Sequence, residues 1–131
     1  MGALRTWQSV IDGVSRHPEN RFSQIAVLAS AGQVLGKTDG FQIETHEACD
    51  WARLLRNKKG DVVVGGEKFL VLSRDAGGSV IVSSKALGVK IIGSKTRSGT
   101  AVLGRYGDLS KTEAREASAW LNDALTAVPV R

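Results

Sequence analysis

The stretch from Glu67 to Tyr106 decides the fold. Glu67 to Ser73 (EKFLVLS) ends at Asp75-Ala76-Gly77-Gly78, and Ser79 to Ser84 (SVIVSS), Val89 to Ser94 (VKIIGS) and Thr100 to Tyr106 (TAVLGRY) follow in quick succession. Each segment is rich in β-branched or aromatic residues and is bounded by turn formers. Links this short join antiparallel neighbours, because a parallel pair needs a long crossover. The stretch therefore predicts an antiparallel meander. In SVIVSS and VKIIGS the outward residues are small or charged, so one face is expected to be partly wet. Just upstream, Asp61 to Val64 reads as a further strand joined to Glu67 by Gly65-Gly66, a turn with glycine dihedrals.

Helices lie outside this meander. Leu4, Trp7, Ile11 and Val14 recur at helical spacing near the N-terminus. Gln24 to Ala29 (QIAVLA), a turn at Ala31-Gly32, and Gln33 to Gly36 predict a hairpin. Thr45 is a plausible N-cap for a second helix whose stripe is Ala48, Trp51, Ala52 and Leu55, stopped at Asn57-Lys58-Lys59-Gly60. Ser110 to Glu113 spells S-x-x-E, a capping box opening a last helix with stripe Ala114, Ala117, Leu121, Ala124 and Leu125, ended by Pro129. Residues 1–131 thus read as one α+β domain with about six to seven strands and no repeat or linker.

Composition narrows the function classes. Apolar residues make up 42% of the chain and charged residues 24%, an ordinary globular balance. Cys49 is the only cysteine, which excludes an intrachain disulfide and fits a reducing compartment. No segment resembles a signal peptide or a membrane span, so a cytoplasmic protein is expected. The net charge of +5 is uneven: residues 51–105 hold eleven basic and three acidic residues. That segment suits an acidic partner, against the plain alternative of a solvated basic surface.

Catalytic constellations are missing. His17 and His46 have no ligand set at metal spacing and read as structural or surface residues. There is no G-x-S-x-G elbow, and Gly65-Gly66-Glu67-Lys68 lacks the P-loop pattern. Cys49 reads most simply as a small helix residue, since no activating base can be named for it. No enzyme, metal or cofactor is expected. The aromatics, Trp7, Trp51, Trp120, Phe22, Phe41, Phe69 and Tyr106, sit mostly on helices or at strand ends, which speaks against a single-stranded nucleic-acid platform.

Three strings carry a family resemblance. Trp7-Gln8-Ser9-Val10-Ile11-Asp12 looks like the profilin opening W-x-x-[YV]-[VI]-D, Val64-Gly65-Gly66-Glu67-Lys68-Phe69-Leu70-Val71-Leu72 like the profilin G-G-x-K-[YF]-x-V-[IL] strand, and Ala101 to Tyr106 like the last strand before its C-terminal helix. With the element order, the chain resembles profilin over nearly its whole length. The resemblance implies a central antiparallel sheet, the terminal helices together on one face and a further helix on the other. It implies a monomer of the cytoplasm and cytoskeleton that binds monomeric actin and regulates its polymerisation. The implied actin face is Lys68, Val71, Arg74, Lys85, Lys90, Tyr106, Lys111 and Arg115, with Ser73 the alternative to Arg74.

Profilins also bind proline-rich segments and anionic phosphoinositides. The implied polyproline site is Trp7, Val10, Leu35 and Trp120. Val10 and Leu35 stand where rings are usual, and Leu125 to Arg131 holds no aromatic, so this groove is half built and polyproline binding is expected to be weak or absent. Trp7 also sits on the apolar stripe of its helix, which favours a core role. Lys85, Lys95 and Arg97 are the implied phosphoinositide ligands. The departures resemble a divergent profilin of the Asgard archaeal type. The competing readings are a GTPase-regulatory scaffold of longin or roadblock type and a basic nucleic-acid-binding domain.

Overall fold

Among the described residues, apolar side chains that alternate along strands and recur every three to four places along helices give seven strands and three helices. The structure, a computed structural model, describes residues 6–56, 61–75, 78–96 and 99–127. The elements are α1 (Trp7–Ser15), β1 (Gln24–Leu28), β2 (Val34–Lys37), α2 (Thr45–Leu55), β3 (Val62–Val64), β4 (Glu67–Arg74), β5 (Val80–Ser84), β6 (Val89–Lys95), β7 (Ala101–Tyr106) and α3 (Lys111–Thr126). Every pairing is antiparallel, and the sheet order is β2-β1-β7-β6-β5-β4-β3. The meander runs unbroken from β3 to β7, and β7 then closes onto β1.

Each face of the sheet carries its own core. On one, Ile25, Val27, Ile81, Ile92 and Val102 meet Val10 and Ile11 of α1 and Ala114, Ala117, Leu121 and Leu125 of α3. On the other, Ala26, Leu28, Val80, Val82, Ile91 and Leu103 meet Phe41 and Trp51, Leu54 and Leu55 of α2. The alternation is strict: Val80 and Val82 point one way and Ile81 the other. The terminal helices therefore share a face and α2 takes the opposite one. The continuous run VIV reflects a strand covered on both sides. The expected wet face shrinks to the half-buried Ser83 and Lys90, because Ser84 and Ser94 are buried.

Local signals set the boundaries. Thr6 caps α1, its Oγ1 accepting from Ser9 N–H at 3.1 Å. Ser110 caps α3: its Oγ accepts from Glu113 N–H at 3.1 Å while Glu113 Oε1 accepts from Ser110 N–H at 3.0 Å. For α2 the cap is Glu44 rather than Thr45, one residue before the expected start. Gly65 and Gly66 have φ of 61° and 83°, the left-handed pair that a two-residue hairpin requires. At Gly93 an added Cβ would lie 2.5 Å from Trp51 Cζ3, so a bare backbone is what lets the fully buried indole lie flat on β6. Leu4, the stop at 57–60 and Pro129 lie outside the described residues.

Candidate functional site

The register sorts the candidate residues between the two faces. Leu70, Ser83, Lys90 and Tyr106 are direct cross-strand partners on β4, β5, β6 and β7 and form one row. Tyr106 belongs to the core under α1 and α3, so the whole row faces that side. Lys68, two residues before Leu70, shares the side, as does its partner Val63. The next row, Ser73, Ile81, Ile92 and Gly104, faces the same way. Arg115 of α3 reaches it, Nη2 donating to Ser73 Oγ at 2.9 Å. Lys111 is exposed one turn earlier on α3, at the i−4 position that places it beside Arg115.

The helices do not cover this row's outer part. Leu70 and Leu72 are each 46% exposed and Val63 is 36% exposed. Apolar side chains left in water beside Lys68, Lys90, Lys111 and Arg115 make a mixed patch of the kind that partners cover. Lys68 Nζ lies 3.2 Å from Asp61 Oδ2, a surface pair of little energetic weight.

Tyr106 is the floor of the patch. It is buried, and Phe22 meets it edge-on with ring centroids 6.2 Å apart at 61°. Desolvation pushes its phenol up to about 12, with the charge of Arg115 pulling the other way.

A bulge separates the other two β4 candidates from this face. The register shifts between Val71 and Ser73, with Leu72 as the extra residue. Val71 pairs with Val82 and Arg74 with Val80, both in the α2 core, so Val71 and Arg74 lie on the α2 side, where both stay exposed. Arg74 Nη2 donates to Leu54 carbonyl oxygen at 2.8 Å, at the C-terminal end of α2. Ser73, not Arg74, thus occupies the slot beside Arg115. Lys85 is exposed on the β5–β6 turn, close to Ser83 and Lys90. Leu70 and Leu72 escaped the sequence reading, because the run FLVL does not reveal that one side is left bare.

The α2 side is closed by a buried carboxylate. Glu47 is 1% exposed and accepts N–H donors from Glu44 at 2.8 Å, Gly65 at 2.9 Å and Gly66 at 3.0 Å. Burial pushes this carboxyl up, but the three backbone bonds outweigh it and hold it below the usual range, with His46 adding a smaller pull. One side chain thereby ties α2 to the β3–β4 turn.

The other two candidate sets fall on the side of the terminal helices and around β6. Val10 is buried, and Trp7, Leu35 and Trp120 are half-buried against the core of α1 and α3. Trp120 packs on His17, which lies just past the end of α1, with ring centroids 5.1 Å apart. Lys85 lies on the turn before β6 and Lys95 at the far end of that strand, separated by about 20 Å. Arg97 lies outside the described residues. Among the seven aromatic residues only Trp7 and Trp120 are even half-exposed, leaving no stacking surface on the strands.

A seven-stranded antiparallel sheet with paired terminal helices on one face and α2 on the other is the profilin fold. No protein-family model matches the chain, and no curated protein does. Solved structures do: Acanthamoeba castellanii profilin IB has 20% identity and a TM-score of 0.72, covering 93% of this chain and 98% of that one. Schizosaccharomyces pombe profilin has 18% identity and a TM-score of 0.71 over the same shares. A chain of the LokiProfilin1 complex with rabbit actin has 15% identity and a TM-score of 0.67, covering 91% of this chain and 90% of that one. Among the described residues no helix is long and apolar enough to cross a membrane.

Proposed function

We propose that this protein is a divergent profilin that binds monomeric actin and slows its spontaneous assembly. The observation that carries the reading is the uncovered row Leu70–Ser83–Lys90, bordered by Lys68, Lys111 and Arg115. Actin is acidic, and a basic rim around exposed leucines offers it both steering charge and apolar area. Two solved complexes of profilins of this fold with rabbit actin support the reading. Within it, Lys68, Lys90, Lys111 and Arg115 contact the partner, Lys85 flanks them, and Tyr106 supports the strand row from below. Val71 and Arg74 belong to the other side and are left out of the face.

Polyproline binding is weak or absent in this reading, since Val10 is buried and offers no surface and Leu35 supplies no ring. Phosphoinositides have no converged pair of cations at Lys85 and Lys95. The test is pyrene-actin assembly with actin from a matching source. A lengthened nucleation lag at excess protein supports the proposal, and an unchanged curve overturns it.

A further inference from the structure

A recess lies away from the proposed actin-binding patch, between the link that follows α1 and the outer side of α3. It has a volume of about 330 Å³ and is lined by Glu19, Arg21, Glu113, Glu116, Ala117 and Trp120. One wall is the half-exposed indole of Trp120. His17 braces that ring at 5.1 Å and is itself fixed by accepting Glu19 N–H on Nδ1 at 3.1 Å. Of the three carboxylates, Glu113 is paired with Arg21 at 3.6 Å. Glu19 and Glu116 have no side-chain partner among the described residues. An aromatic wall flanked by two free carboxylates attracts a cation through the ring quadrupole and through charge at once. This recess is negative on a chain of net charge +5. Its volume is at the small end for ligand sites, which suits one inserted side chain.

We propose that this recess docks a lysine or arginine side chain from a basic peptide segment of a partner protein. The proposal is independent of actin binding. It also gives Trp120 a different partner from a proline-rich segment, which needs several adjacent ring surfaces and finds one here.

The test uses the whole protein and follows the three indole N–H resonances by NMR. The probes are a proline-free peptide alternating Arg and Gly, and a decaproline peptide. The expected result is saturable movement of the Trp120 resonance with the basic peptide, an unmoved Trp51 resonance, and no saturation with decaproline. Glu19→Gln with Glu116→Gln should weaken the basic peptide about tenfold and leave the folded spectrum unchanged, since both residues are exposed. The proposal is overturned by equal binding in the double variant, by preferential saturation with decaproline, or by a concentration-dependent dimer that buries Trp120 without any peptide.

Discussion

The two sides of the sheet are finished differently. On the α2 side Trp51 is fully buried against Gly93, Glu47 holds three backbone donors, and Arg74 caps the end of α2. On the α3 side the helices cover β1, β7 and β6 but leave Leu70, Leu72 and Lys68 in water. Stability is concentrated where the layers close, and a partner surface is available where they stop short. Loss of a residue on the closed side should be read in folding, and on the open side in binding.

The largest expected effect is on the closed side. Trp51→Ala removes the largest fully buried side chain and should destabilise the domain by about 4 kcal/mol, read as a fall in the denaturant midpoint. A loss below about 1 kcal/mol would show that the α2 layer is not what holds the sheet. Next comes Glu47→Gln, which keeps the volume but weakens three charge-assisted bonds, for an expected loss of about 2 kcal/mol at neutral pH. The sign with pH follows from the lowered folded value of Glu47. Its contribution is present above the ordinary carboxylate range and is lost as pH falls through the folded value. Acid unfolding should therefore be shallower in Glu47→Gln than in the parent, and identical acid limbs would contradict the assignment.

Tyr106 probes the floor between the two regimes. It is the only tyrosine, so absorbance at alkaline pH reports it alone. Its folded value is raised, so the stability it lends is present below about pH 10 and is lost as pH rises towards about 12. Ionisation in the folded protein near pH 10 would mean the ring is solvated and the row is not packed as described.

Much of this contrast was legible in the sequence. The capping box at Ser110, the Gly65-Gly66 turn and the closely spaced β-branched runs are local signals, and each appears where it was expected. The face that each side chain takes was less legible, because one extra residue at Leu72 inverts everything beyond it. That bulge sends Arg74 to α2 and leaves Ser73 beside Arg115, and nothing in EKFLVLS marks it. Convergence in space was also hidden. Lys85 and Lys95 are near in sequence yet lie on the turn before β6 and at its far end, while Trp120 meets His17 from more than a hundred residues away.

The smallest effect on folding belongs to the open side, and there the binding measurement is most direct. Lys90→Glu with Lys111→Glu alters two charges on the patch and should change stability by only about 0.5 kcal/mol. Titration of labelled monomeric actin against the parent and this double variant compares them at equal ionic strength. The account predicts saturable binding by the parent and a loss of at least about tenfold in the variant, with the thermal transition unchanged. Equal affinity in the two proteins, or no binding by the parent, would contradict it.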